Sequence, residues 1–306
     1  MSTLKQTMKL KMKQYKNAVF IPRGDKDSSM GLYEESGNFI SRSGKRIYGS
    51  SEYSKGEKLE RNDLTSLGKI DDPVIFGGYL RGHYGHFLID EISRFWWIIE
   101  HKEWLDRKVV ICINGEKLPS FYYEIFQLMG ISNICIVTEN TILKEVLVPE
   151  FSYVPEHYIC DLYQKTFWEI MKQVPDEKEC EKIYLSRRHF ARKHHSIEMG
   201  ERVVEDIYKK NGYKIIYPEE LSMTEQLSYY KSCKVLVSTN GSLAHNILWC
   251  SVSTKQVILK RFDEHNLHQM AIEELRENKA FEVDCFVKGH LMLSHVIILQ
   301  MNSRTI

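Results

Sequence analysis

The chain of 306 residues has no excess of charge of either sign: Lys plus Arg total 42 and Asp plus Glu 41, a formal net charge of +1. Without a global field there is nothing to hold a polyanion, which argues against a dedicated nucleic-acid binder. The seven cysteines (Cys112, Cys135, Cys160, Cys180, Cys233, Cys250 and Cys285) form no CxxC pair. An odd, scattered set does not make a disulfide framework and suits reduced thiols in a cytosol. No apolar run approaches the ~20 residues of a membrane-spanning helix, and the start, MSTLKQTMKLKMKQYKN, has no apolar signal-peptide core. A cytoplasmic chain is expected, attached at most to the inner face of a membrane. No GxxxxGK[ST] occurs, which removes the P-loop NTPases, and Gly77-Gly78-x-x-x-Gly82 fails the GxGxxG spacing. What is there is ordinary globular material, 43% hydrophobic and 27% charged, long enough for about two domains.

The two halves differ in rhythm. From Lys182 onward, KIYLS, YKIIY, KVLVST, QVILK and FEVDC alternate with helical stretches expected near Ile197–Lys210, Ser222–Cys233, from Gly241, and Asn266–Asn278. Strands this apolar have no wet face, so the pattern predicts a parallel sheet covered on both sides. Ser222 has capping-box spacing to Glu225. The first half is less regular: AVFIP, a hairpin turn at Ser36-Gly37-Asn38, PVIFGG, a long helix expected from His86 to Trp104, VVICIN, a helix at Ser120–Met129, NICIV, KEVLVP and a helix at Tyr158–Val174. The polar stretch PDEKECE places the boundary between a domain at 1–174 and one at 175–306. Lys5, Lys9, Lys11, Lys13 and Lys16 alternate with apolar residues, which reads as an edge strand guarded by charge, the alternative being a peripheral contact with an anionic membrane.

In an open parallel sheet ligands bind beyond the carboxyl ends of the strands. After KVLVS come Thr239-Asn240-Gly241-Ser242 and then His245 and Asn246, a turn that admits close backbone approach and, with a helix start, suits a phosphate. After KIYLS come Arg187 and Arg188, followed by Arg192, Lys193, His194 and His195. An arginine there can grip a diphosphate bidentately, and together the two turns point to a diphosphate cradle. In the first half, His86, Asp90 and Arg94 recur at i, i+4 and i+8, an imidazole, a carboxylate and a guanidinium on one helical face. A carboxylate so placed can take a proton from a hydroxyl nucleophile; an exposed ion-pair row is the plainer alternative. His83 and His86 lack a nearby third ligand for zinc, and Asp25-Lys26-Asp27 reads as an exposed turn, so no metal is expected.

These segments resemble the family 61 glycosyltransferases. YGHFLIDEISRFW (84–96) is similar to the family's G-H-F-x-x-[DE]-x-x-x-R-x-W pattern, KIYLSRRHFARKHHSIE (182–198) to its strand with Ser-Arg, and the stretch from GYKIIYPEELSMTEQ through STNGSLAHNILW to its P-E-x-L-[ST]-x-x-E-Q run, its His-Gly-[AS] and a late Asn. The resemblance implies a GT-B-like α/β fold, two Rossmann-like domains facing a central cleft, and inverting, metal-independent transfer of a sugar from a nucleotide sugar to a glycan or lipid-linked glycan, as in capsule synthesis. Arg187 and Arg188 would then touch the diphosphate, and Asn240, Gly241, Ser242 and Asn246 would form the nucleotide-side loop. Glu225 and Gln226 would support that pocket. Asp90, or failing that Glu91, is the implied general base with His86 orienting it, and His83 and Arg94 lie on the acceptor side. Two positions depart from the family: Asn240 stands where a His is usual, and Ile197-Glu198 where Asn-Glu is usual. A decayed, non-catalytic transferase fold and a nicotinamide oxidoreductase are the alternatives.

Overall fold

The computed structural model describes residues 4–22, 29–47, 52–60, 67–115, 117–176, 179–193, 200–261 and 266–285, the side chains of 191–193 excepted. Two separate sheets form, one from each half of the chain. In the first, the order is β2 (Gly31–Tyr33), β1 (Met12–Ile21), β6 (Thr141–Pro149), β3 (Gly68–Leu80), β4 (Lys108–Ile113), β5 (Ile134–Ile136). β6, β3, β4 and β5 run parallel, and β1 lies antiparallel to both β6 and β2. The start of β1, with Lys13 and Lys16, pairs with β6 alone and is a guarded edge, whereas Lys5, Lys9 and Lys11 precede the strand, so the edge expected from the lysine alternation forms only in its second part. β3 is bulged at Gly77, where a Cβ would press on Val109 and Ile111 of β4.

The second sheet is wholly parallel, in the order β10 (Lys214–Ile216), β9 (Lys182–Leu185), β11 (Val235–Thr239), β12 (Lys255–Lys260), β13 (Phe281–Asp284). Its strands alternate with α6 (Glu201–Lys210), α7 (Met223–Lys231) and α8 (Leu267–Arg276). The capping box between Ser222 and Glu225 is formed at the start of α7. Strand order reverses between β9 and β11, the kind of switch point beside which open parallel sheets bind ligands.

Three expected helices differ. The helix expected over His86–Trp104 is instead α1 (Tyr84–Ile89), a 3-10 turn (Glu91–Arg94), α2 (Trp97–Glu100) and a second 3-10 turn (Lys102–Trp104). Residues 87–98 are buried without exception, so no amphipathic face fixes a single straight axis. Asp90, Glu91 and Arg94 instead reach separate partners in three directions. Asp90 closes α1 at φ −119°, and the shared face with Arg94 is lost. The helix expected from Gly241 is a six-residue 3-10 turn, Ala244–Trp249, too short for a useful dipole end. The helix expected from Tyr158 begins at Asp161, after a hairpin of β7 (Tyr153–Val154) and β8 (Tyr158–Ile159).

That last helix, α4 (Asp161–Met171), lies between the sheets. Tyr163, Phe167 and Ile170 join Phe87 and Phe126 from the first half to Leu248 and Trp249 from the second in one continuous core. Gln164 donates to the Leu248 carbonyl at 2.8 Å and accepts from Arg276 at 3.3 Å, both beyond the expected division at 174/175. α3 (Ser120–Met129) covers the first sheet and stops at Gly130, whose φ of 78° is the left-handed cap a glycine supplies. α5 (Arg188–Lys193) follows β9 directly.

Candidate active site

On the first sheet, β3 runs out at Leu80 into Arg81-Gly82-His83, and α1 starts at Tyr84. Gly82, at φ 76°, makes the reversal. Glu91 anchors this loop: its carboxyl accepts from the Arg81 amide at 2.9 Å and from Tyr122 Oη at 2.7 Å. Burial raises its pKa to about 8, and both oxygens are taken up inside the protein. Asp90 faces the other way. One of its oxygens lies 2.7 Å from Arg46 Nη1, and the other 3.5 Å from His86 Nδ1. The His86 side chain is 25% exposed and that of Asp90 7%, so the imidazole is the member of the pair that a substrate can reach. His83 is exposed, and its ring stands edge-on to His86 at 5.2 Å. Partial desolvation of the ring by its surroundings and the neighbouring imidazole lower its pKa.

Arg94 is not brought to this group. Its guanidinium donates to the Pro149 and Arg42 carbonyls and stacks 3.8 Å over Phe151, and burial lowers its pKa to about 10. Gly78, at φ 88°, leaves the space that Arg94 fills. From the second half, His268 at the start of α8 accepts or donates at 2.7 Å with Tyr153, with Arg46, Asp90 and His86 in its electrostatic surroundings. Burial lowers its pKa to about 4 and that of His245, 6.3 Å away, to about 3, so both rings are neutral near pH 7.

On the second sheet the rim at the switch point is built from the ends of β9 and β11. Arg187 follows β9, its amide donating to Glu201 at 3.1 Å and its guanidinium lying 5.0 Å from the Phe190 ring. Arg188 turns inward, pairing with buried Glu205 at 3.2 Å and donating to Tyr217 at 2.9 Å. Gly241 follows β11 at φ 102°, a conformation that strains any other residue. Asn240 is braced by the Arg261 amide, which donates to its side chain at 3.2 Å, and the Arg261 guanidinium would be the nearest group to a Cβ on Gly241, at 4.0 Å. A cleft of 1180 Å³ opens beside Asn240 and Gly241, with Lys260, Asn266, Glu273, Glu274 and Glu277 in its wall. Glu225 and Gln226 serve the turn before α7, the first through the capping box and the second through donation to Pro218 and Leu221. Asn246 is fully buried, accepting from Tyr84 at 2.5 Å and donating to Leu243 at 3.1 Å.

The two rims touch. A Cβ on Gly85 would collide with Ser242, and Tyr84 Oη links Asn246 and the indole N–H of Trp249, which donates to it at 3.0 Å. The YGHF turn of one half therefore sits on the NGS turn of the other, with His86 one residue past that contact. Residues 84–257, more than half of the chain, match the family described as Glycosyltransferase 61. The chain belongs to the glycosyltransferase 61 family. As a glycosyltransferase it acts on a sugar donor and an acceptor, and its two sheets are the paired Rossmann-like layers of the GT-B arrangement. The oxidoreductase alternative is thereby set aside. No curated protein matches the chain. No helix among the described residues is long and apolar enough to cross a membrane, and none of them form a cluster of three or more His, Cys, Asp or Glu able to hold a metal.

Arg192 and Lys193 have no described side chains, and Asp25-Lys26-Asp27, His194, His195 and Ile197-Glu198 lie outside the described residues. Sequence reasoning missed four groups in this transferase. Arg261 could have been found by the rule that exposed Arg187, since it follows QVILK at the same end of the same sheet. Tyr84 stands inside the first motif. Arg46 and His268 carried no sequence signal, because only the tertiary fold brings them to Asp90.

Proposed function

We propose that the protein moves a sugar from a nucleoside-diphosphate sugar to a hydroxyl of a glycan acceptor with inversion at the anomeric carbon. The observation that carries this reading is the contact of Gly85 with Ser242, which sets the His86–Asp90 pair of the first sheet against the β9–β11 rim of the second. His86 is the general base, reversing the order expected from sequence. Its Nδ1 faces Asp90, which fixes the ring and stabilises the imidazolium that forms, and Nε2 takes the acceptor proton as the hydroxyl attacks opposite the leaving diphosphate. Arg46 holds the Asp90 carboxylate in place through their ion pair at 2.7 Å. Arg187, the Arg261 side chain and the open backbone at Gly241 meet the charge that grows on the diphosphate, a task for donors fixed in advance rather than recruited from water. The nucleoside lies in the cleft beside Gly241, whose volume suits it. Ser242 is at the donor–acceptor seam, and Asn246 holds that seam from behind through Tyr84.

With the leaving-group charge assigned to arginines, transfer is metal-independent, and chelation leaves the rate unchanged. The resemblance to capsule-type enzymes supports a cytoplasmic role in surface polysaccharide synthesis on a lipid-linked acceptor at the inner face of the membrane. A panel of nucleotide sugars and glycan acceptors, with products read by mass spectrometry, tests the reading. Addition of one sugar mass with release of a nucleoside diphosphate is the expected result, and no product together with no nucleotide binding across the panel contradicts it.

A further inference from the structure

The core-facing stripe of α8 ends on a histidine. Ala271, Ile272 and Leu275 pack in the central core, and His268 is the next position of that stripe toward the helix start. On the adjoining face Leu267 and Met270, with the cap Asn266, line the cleft beside Gly241. The Asn266 side chain fixes this end by accepting from the His268 and Gln269 amides at 3.0 and 3.1 Å. One face of α8 therefore looks into the cleft, while His268 reaches away from it to the first half of the chain.

There its Nδ1 meets Tyr153 Oη at 2.7 Å, with the rings edge-on. Tyr153 is buried and makes no other hydrogen bond among the described residues, so the arrangement that leaves no buried donor unmatched has the phenol donate to Nδ1. That puts the imidazole proton on Nε2. Nε2 makes no hydrogen bond to a described residue, and unlike both nitrogens of His245 it is not sealed from solvent. Burial and the nearby Arg46 and His86, opposed by Asp90, keep the ring neutral near pH 7, so the N–H persists across the working range.

We propose that His268 is a sugar-binding residue, its Nε2–H donating to a hydroxyl of the sugar under transfer. This rests on the reading of the Gly241 cleft as the donor site and of His86 as the base. In that reading the sugar is bonded to the diphosphate on one side and attacked from the His86 side on the other. His268 stands on the donor half where α8 passes from the cleft to the neighbourhood of His86. A neutral donor there distinguishes sugars by the hydroxyl they present, and adds no cation to compete with the arginines for the diphosphate.

Two amide replacements separate this role from a structural one, because the amide of Asn reaches the place of Nδ1 and that of Gln the place of Nε2. His268→Asn keeps an acceptor for Tyr153 and loses the outer donor, whereas His268→Gln keeps the outer donor and gives up the Tyr153 contact. Calorimetry on wild type and both variants measures affinity for uridine and guanosine diphosphate, and for whichever of UDP-glucose, UDP-N-acetylglucosamine and GDP-mannose wild type binds most tightly. Unfolding midpoints are read on the same samples. His268→Asn should bind the nucleoside diphosphate as wild type does and the nucleotide sugar about five- to tenfold more weakly, the loss of one hydrogen bond, with His268→Gln closer to wild type. A purely structural tie reverses that order, making His268→Gln the weaker binder with the lower midpoint. That reversal, or a nucleotide-sugar affinity unchanged in His268→Asn, overturns the proposal. Nucleoside-diphosphate binding keeps the two readings apart: its absence from wild type removes the donor site and this inference with it, and its presence beside an indifferent His268→Asn removes His268 alone.

Discussion

The second-sheet rim and the first-sheet rim hold their functional groups by different means. On the second sheet, backbone placement does the positioning: Arg187 and Gly241 follow adjacent parallel strands, and the carboxylates behind them, Glu201 and Glu205, hold the strand exits. On the first, side chains hold side chains: His86 leans on Asp90, Asp90 on Arg46, and Glu91 ties the Arg81 loop to Tyr122. A group placed by a strand end can be lost singly. A group in a nested buried pair takes its neighbour with it, because the partner charge is left without compensation.

Substitutions can break or sharpen this contrast. The largest effect is expected from His86→Ala, a fall in turnover of about 10²–10⁴-fold, the usual worth of a general base, with nucleotide affinity kept. Asp90→Ala should cost up to about 3–5 kcal/mol of stability by removing the buried carboxylate paired with Arg46, measured by denaturant unfolding, as well as turnover. Arg187→Ala should weaken nucleoside-diphosphate binding by about 1.5–3 kcal/mol and leave the unfolding midpoint near wild type. Gly85→Ala should impair transfer by pressing on Ser242, and adding Ser242→Gly should recover part of the loss, with a coupling of about 0.5–3 kcal/mol in a double-mutant cycle. A pH-dependent effect concerns Glu91. Folded, its carboxyl keeps a proton up to about pH 8, whereas in the unfolded chain it ionises near 4.5. Between those values the unfolded chain binds fewer protons, so this group's contribution to stability falls as pH rises. Glu91→Gln, neutral throughout, should flatten that decline in unfolding titrations, and an unchanged slope would assign it elsewhere.

The same contrast explains what could be read from the residues alone. Repeated βα rhythm is local, so every strand of the second sheet, the capping box at Ser222 and the rim at Arg187 and Gly241 were legible. The first motif was legible as residues but not as geometry. Twelve buried positions in a row, 87–98, carry no periodicity that distinguishes one long helix from two short ones joined by a 3-10 turn, and the i, i+4, i+8 spacing that put Arg94 beside His86 assumed the long one. That Asp90 is the more buried of the pair and His86 the more exposed depended on Arg46, more than 40 residues away in the chain and outside any pattern. Buried Asn246 shows the same limit, since a motif fixes identity but not whether a side chain meets a ligand or a neighbouring turn.

One double separation of binding from turnover decides the roles of His86 and Arg187. Nucleoside-diphosphate affinity by calorimetry and sugar transfer by mass spectrometry are measured for wild type, His86→Ala and Arg187→Ala on the same preparations. The account requires His86→Ala to bind nucleotide as wild type does while transfer falls at least about 100-fold, and Arg187→Ala to lose nucleotide affinity. Wild-type transfer by His86→Ala, or undiminished nucleotide affinity in Arg187→Ala, would contradict it.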